Sequence, residues 1–295
     1  MKYRTDLALE CKELFEEDNE PVGEDDGVLM DRIEYGEGVS VVKIQIINQK
    51  GEALLEKPAG NYITIEAEGI IDENDEAKTI VEEALIKELT EIIPFNNELK
   101  VLVAGLGNSG VTPDALGPVT ISKVRPTRHL FEMFGTDSDD EVSNVSCIIP
   151  GVMGNTGLES ADVIKKAAEL VEPDVIVVVD SLAARDMSRL STTIQLNDTG
   201  ISPGAGMGNN RTGINEQIMG VKVIAIGVPT VIDVTTIIRD SLVDNVEDVT
   251  LIEEYLDEFK LESIVTSTDI DSIIKEFSDI ISNGINKVLH PGIYS

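Results

Sequence analysis

An α/β fold, with a mostly parallel twisted sheet, helices on both faces and a small β layer on its amino-terminal side, is predicted by three observations. Short uninterrupted apolar runs alternate with segments of helical spacing between residues 73 and 240. Stretches rich in β-branched residues precede them between 27 and 70, and an amphipathic segment follows between 265 and 290. Buried parallel strands read as continuous apolar runs because both of their faces are covered, which is the pattern of the middle region.

From Val39, SVVKIQII, a turn-like NQKG and NYITIEAEGI read as antiparallel strand material, an edge hairpin or a small layer. ENDEAKTIVEEALIKELTEII follows, with Ile80, Ala84, Leu85, Leu89, Ile92 and Ile93 at helical spacing behind an acidic first turn, and it ends before Pro94. The alternation then runs KVLVAGL, a helix after Pro113, VSCIIPG, the helix LESADVIKKAAELV, DVIVVVD and VKVIAIGV. From Asp269 to Leu289 a terminal helix is expected, with Ile273, Ile274, Phe277, Ile280, Ile281 and Ile285 on its apolar side. The glycine-rich run at 199–213 reads as a mobile loop, and the whole from 7 to 295 as one α/β domain.

With 295 residues and 42% hydrophobic content, the chain has enough apolar material for a large core. Its 55 acids against 23 bases give a formal charge of −32, which opposes direct binding of nucleic acid, since each phosphate contact wants a Lys or Arg. Two cysteines, Cys11 and Cys147, match no metal knuckle or disulfide framework, and a reducing cytoplasm is the natural expectation. MKYRTDLALE places charges where a signal peptide needs an apolar stretch, and no apolar run approaches a membrane span.

The segment GLGNSG, Gly105 to Gly110, satisfies GxGxxG after a strand. Val111, Thr112 and Pro113 delay the helix, however, and VRPTRHL stands where a ribose-binding acid belongs, so a dinucleotide site fits poorly. Pro113 suits the start of a helix, which puts Asp114 beside a helix N-terminus, either as a dipole partner or as a cleft acid. Asp180 ends VIVVVD, and a carboxylate at the carboxyl end of a central parallel strand is either buried with partners or faces the ligand crevice. If the two strands are neighbours, both carboxyls open into one cleft, where coupling is expected to raise one pKa and lower the other and to equip them for acid and base roles.

Asp233, after VPTVI, either joins that cleft or caps the next helix. Gly151 and Gly154 lie in PGVMGNTGLES, whose amides either face a developing oxyanion or merely connect strand to helix. No GxSxG or HExxH motif occurs, and the only histidines are His129 and His290, so carboxylate chemistry without a cofactor or metal is favoured over serine or zinc hydrolysis.

RTDLALE, GLGNSGVTPDALGP, PGVMGNTGLES, VVVDSLAARD, TGISPGAGMGNNRTGI and IGVPTVIDVTT, in that order, resemble the germination protease family of spore-forming bacteria, most clearly over residues 99 to 236. The resemblance implies an atypical aspartic endopeptidase on a hydrogenase-maturation-protease-like fold, with catalytic Asp114 and Asp180. It further implies a zymogen that processes itself, a homotetramer, and degradation of small acid-soluble spore proteins in the forespore and spore core. These proteins coat DNA, so an acidic enzyme reaches DNA only through them.

TDLALE imitates the sequence that family cleaves, which predicts a propeptide of residues 1–6 and a cut between Asp6 and Leu7; on spacing alone the segment is equally the start of an amphipathic helix. The chain departs from the family in its very short prosegment and in having no Trp, where many relatives carry an aromatic in the stretch matching Asn108 to Gly110. Two rivals are a hydrogenase-maturation-type metal-dependent endopeptidase, although its double-acid DDG element reads PDALG here, and a non-catalytic acidic binding protein of the same fold.

Overall fold

In a computed structural model of the chain, residues 5–70, 74–96, 98–135, 141–205, 211–243, 256 and 263–294 are described. The strands are β1 (Val28–Gly36), β2 (Val39–Ile46), β3 (Gly60–Ala67), β4 (Lys100–Gly105), β5 (Asn144–Ile148), β6 (Val175–Ala184), β7 (Thr193–Asn197), β8 (Lys222–Asp233) and β9 (Ile264–Val265). The helices are α1 (Ala8–Asp18), α2 (Gln49–Leu55), α3 (Asp75–Ile92), α4 (Leu116–Ile121), α5 (Arg128–Phe134), α6 (Met153–Thr156), α7 (Ser160–Val171), α8 (Glu216–Met219), α9 (Val234–Val243) and α10 (Ile270–Leu289).

The strands form one mixed sheet in the order β1-β2-β3-β7-β8-β6-β4-β5, with β9 paired to the end of β8. The expected parallel core is the group β5, β4, β6 and β8. The amino-terminal strands are not a separate layer. They run antiparallel at the edge of the same sheet, joined to the core by β3 against β7 and β7 against β8. The turn-like NQKG is instead the start of α2, because the Asn48 side chain accepts hydrogen bonds from the Lys50 and Gly51 amides and nucleates a helix there.

Burial follows the alternation of side chains across a strand. Val175, Val177 and Val179 of β6 face a core shared with α3, α4 and α10, while Ile176 and Val178 face a second core with Ala161, Ile164 and Ala168 of α7. In β2, Val39 and Val41 join the first core, whereas Val42, Ile44 and Ile46 pack with Ala8 and Leu9 of α1. Both faces of that strand are therefore covered, which explains its near-continuous apolar run.

Helix α3 begins at Asn74, whose side chain accepts from the Glu76 and Ala77 amides, and it buries Val81, Ala84, Leu85 and Leu89 as the periodicity requires. All six apolar residues assigned to the terminal helix are buried in α10. Of the glycine-rich run, residues 206–210 lie outside the described residues, while Ile201 and Ile214 on either side form a β-bridge.

Candidate active site

Asp114 and Asp180 arrive from adjacent parallel strands. β4 and β6 stay paired to Gly105 and Val179, and Asp180 is the next residue of β6; it does not end that strand as the sequence suggests, because β6 stays paired with β8 to Ala184 while β4 gives way to its loop. β5 lies on the other side of β4, making this a point where the strand order reverses, and ligands of open α/β sheets bind at the carboxyl ends of such strands.

The loop after β4 is tied down by main-chain bonds: the Leu106 amide donates to Val179 O at 2.8 Å and the Asn108 amide to Asp114 O at 2.9 Å. A single 3-10 turn, Thr112–Asp114, then leads into α4, and Thr230 Oγ1 donates to Pro113 O at 2.7 Å. The glycines of the GxGxxG match serve this close packing. A Cβ on Gly105 would stand 2.4 Å from Gly117 O, and one on Gly107, whose φ is +106°, would stand 2.1 Å from Asp114 O. Gly107→Ala is therefore expected to cost more than about 1 kcal/mol from the backbone conformation alone, and to displace Asp114. Chemical denaturation should register the loss, and a variant as stable as the parent would contradict this account of the motif.

Both carboxyls line a cavity of about 290 Å³ whose wall also includes Gly107, Pro113, Arg211 and Asp6. Asp180 is only 5% exposed and accepts the Ser181 amide at 2.9 Å. Burial raises its pKa well above the ordinary carboxylate range, and the negative charges of Asp114 and Asp6 push in the same direction, against smaller opposing effects of that amide and Arg211. Asp114 is also raised by burial, partly offset by the Asn108 amide and Arg211. Neither acid is lowered as coupling alone would have it, because burial raises both; Asp180, the more deeply buried, is raised further and is the better holder of a proton.

A consequence for stability follows from linkage. Unfolded Asp180 ionises near pH ~4, whereas the folded group keeps its proton to higher pH. Its stabilising contribution is complete below about pH 4 and is lost as pH rises through the folded pKa. Asp180→Asn should accordingly melt above the parent chain at neutral pH, and the gap should close below about pH 4. Equal melting temperatures across that range would refute the buried-acid reading.

Asp6 reaches this cavity from the amino-terminal segment. Its amide donates to Ala183 O at 2.9 Å, and its Oδ2 accepts the Ala183 amide at 2.9 Å, at the point where the β6–β8 register shifts. Leu7 is fully buried against Leu182, Ala184, Leu190 and Ile232. Helix α1 begins at Ala8, so the motif is a helix start and a site-facing segment together.

The remaining sequence candidates lie elsewhere. Asp233 is buried at the end of β8, and its Oδ1 accepts the Thr235 amide at 2.7 Å, capping α9. Gly151 O accepts from Ser160 Oγ, and Gly154 lies exposed in α6; Val152 and Ser160, rather than either glycine, reach the cavity wall. His129 is exposed on α5, and buried His290 contacts Arg125 O at 3.0 Å through Nε2. Among the described residues, no three His, Cys, Asp or Glu side chains gather in a way that could hold a metal ion. Arg211 went unassigned in the sequence, although it is the only base in the run TGISPGAGMGNNRTG.

A family model described as Germination protease matches residues 8–246, an interval that contains Asp114, Asp180 and Arg211. The chain belongs to the germination protease family. Relatives named Germination protease are 41% identical in Caldanaerobacter subterraneus subsp. tengcongensis (98% of this chain, 95% of that one), 39% in Clostridium tetani (99% and 97%) and 34% in Bacillus pumilus (99% and 94%). As a member of this family it is a protease, a hydrolase of peptide bonds. One solved structure, a NiFe hydrogenase maturation protease HycI from Thermococcus kodakarensis KOD1, is 14% identical over 68% of this chain and 97% of its own. Its TM-score of 0.35 is too slight a likeness to bear on the fold. Among the described residues no helix is long and apolar enough to cross a membrane.

Proposed function

We propose that this germination protease family member is a self-processing endopeptidase that uses Asp114 and Asp180 to activate water. The observation that carries the reading is the sharing of one cavity by both carboxyls and by Asp6, the residue before the expected cut. Asp114, the less strongly raised acid, takes a proton from water as the water oxygen bonds to the scissile carbonyl carbon. Asp180 supplies its proton to the substrate carbonyl or the departing nitrogen, the C–N bond breaks, and a carboxyl and an amine are released. Arg211 steadies the negative charge that remains.

Cleavage between Asp6 and Leu7 removes residues 1–6, and the mature enzyme degrades small acid-soluble spore proteins in the forespore and spore core as a homotetramer. The family membership and the acidic surface support this, because substrates that coat DNA are met as proteins and not through phosphates. Incubating the purified chain with such a protein after prolonged treatment with a chelator tests the proposal. Hydrolysis should persist, and sedimentation should return a mass corresponding to four processed chains, each a little below the 31.9 kDa of the full chain. Activity restored only by nickel or zinc would favour the hydrogenase-maturation type of chemistry, and complete inertness a binding protein.

The rate should be bell-shaped in pH. It should fall on the acid side as Asp114 protonates, at a pH above the usual carboxylate value, and fall again on the alkaline side as Asp180 loses its proton. A rate indifferent to pH between about 4 and 8 would exclude the pair as acid and base.

A further inference from the structure

The peptide bond between Asp6 and Leu7 is held at each of its polar atoms. Asp6 O, the carbonyl oxygen of that bond, accepts from Lys57 Nζ at 3.0 Å and from Gln195 Nε2 at 3.1 Å. The Leu7 amide on the other side of the bond donates to Thr5 Oγ1 at 3.0 Å. Gln195 also reaches one residue further, since its Oε1 accepts the Ala8 amide at 2.7 Å. One side-chain amide thus grips the main chain on both flanks of Leu7, while Leu7 itself fills an apolar pocket.

The sheet explains why Gln195 is in reach. Strand register sets Asp180, Gly227 and Gln195 side by side across β6, β8 and β7, so that the aspartate and the glutamine project from the same face. Gly227 between them contributes no side chain, and Leu182 folds over it: a Cβ there would stand 2.5 Å from Leu182 Cγ. Two cavities open on either side of this leucine. One, of about 290 Å³, holds Asp114 and Asp180; the other, of about 230 Å³, is lined by Lys57 and Gln195; Asp6 and Leu182 border both. Lys57 comes from the connection between α2 and β3, which the edge strands deliver to this face.

Two donors converging on one carbonyl oxygen, one of them an ammonium, form the arrangement that stabilises an oxyanion as water adds to the carbonyl carbon. We propose that Lys57 and Gln195 are the electrophilic clamp of this protease. They polarise the Asp6 carbonyl during self-processing, and afterwards take the equivalent carbonyl of substrate proteins bound in the same track. With the oxygen thus neutralised, the proton held by Asp180 goes to the nitrogen of Leu7 as the C–N bond breaks, and the water oxygen remains on Asp6 as its new carboxyl. This assignment rests on the self-processing reading above and adds to it the residues that bind the reacting oxygen.

The test compares the full chain with Lys57→Met, Lys57→Arg and Gln195→Glu. Lys57→Met keeps the stem and removes the donor. Gln195→Glu keeps an acceptor for the Ala8 amide but sets a carboxylate oxygen against the Asp6 carbonyl. First-order processing should slow by about 100-fold or more in each, the usual effect of losing one oxyanion donor, and Lys57→Arg should recover much of the loss. In an Asp180→Asn background, where the segment stays uncut, hydrogen exchange at Leu7 and Ala8 should be unaffected by Lys57→Met. For the processed enzyme, a peptide of residues 1–14 added in trans should show the loss in kcat with KM changed only a few-fold.

Processing of Lys57→Met at the parent rate overturns the clamp. So does a slow rate accompanied by lost protection at Ala8, which would make Lys57 an anchor only. A parent chain that never processes itself overturns the self-processing reading and the clamp with it, whereas failure of the clamp alone leaves that reading standing.

Discussion

Asp114→Asn and Asp180→Asn are each expected to reduce self-processing and hydrolysis of added substrate by at least about 100-fold, with folding retained. Asparagine keeps the shape of the carboxyl group. Asp180→Asn retains the oxygen that accepts the Ser181 amide, and Asp114 is joined to its loop by its main-chain carbonyl, which accepts the Asn108 amide and is untouched by the substitution. What is lost, on the mechanism proposed above, is one half of an acid and base pair. The two variants should differ in stability even though both are inactive: Asp180 lies deeper and carries the larger upward shift, so its replacement relieves more. Normal turnover in either variant, measured with a spore protein substrate and checked by circular dichroism for fold, would end the two-aspartate mechanism.

The second large effect is a change of amino terminus. Held under mildly acidic conditions, the purified chain should convert to a product beginning at Leu7, read by amino-terminal sequencing, and Asp180→Asn should yield none of it. Mild acid favours the reaction because it adds to the protonated form of Asp180, the acid that burial raises further. The geometry favours this bond over its neighbours, since the Asp6 carbonyl is presented to two donors and Leu7 is locked in a pocket, whereas from Ala8 onward the main chain is committed to α1. A cut elsewhere, or the same product from the inactive variant, would detach the segment from the site.

How far the chain could be read in one dimension differs from element to element. DVIVVVD and KVLVAGL announce buried parallel strands because both faces of each are covered, so no polar alternation interrupts them. The terminal helix is equally plain, since a 20-residue amphipathic stretch admits one apolar face. NQKG misled because a short helix and a turn share polar, glycine-containing beginnings, and only the capping bonds of Asn48 decide between them. The amino-terminal strands could be recognised as antiparallel, but their continuity with the core depends on β7, a short strand with polar residues at Thr193, Gln195 and Asn197 that carries little apolar signal of its own.

The same division holds at the site. Asp180 was legible as the acid that closes the apolar run VIVVVD, although β6 itself continues to Ala184, and Asp114 as the acid beside the helix start at Pro113. Arg211, Lys57 and Gln195 were not, since none stands in a pattern that separates a cleft residue from an ordinary polar one. Asp233 illustrates the converse: an acid that follows an apolar run, as Asp180 does, becomes a helix cap, because β8 ends there and α9 offers it the Thr235 amide, whereas β6 continues past Asp180 to Ala184.

By itself, then, the sequence determined the α/β class, the strand and helix order of the core, the resemblance to a protease family and two candidate acids, one closing an apolar run and one beside a helix start. Those follow from local hydrophobic periodicity and from motif order along the chain. Tertiary structure alone decided that β4 and β6 are neighbours and that the edge strands extend the same sheet. It also decided that a glycine at position 227 leaves Asp180 and Gln195 on one face with Leu182 folded over the gap, and that the Asp6 carbonyl meets Lys57. The physical reason is that such contacts join residues up to 189 positions apart, as between Asp6 and Gln195, and their pairing is set by sheet register and packing, which no local pattern encodes.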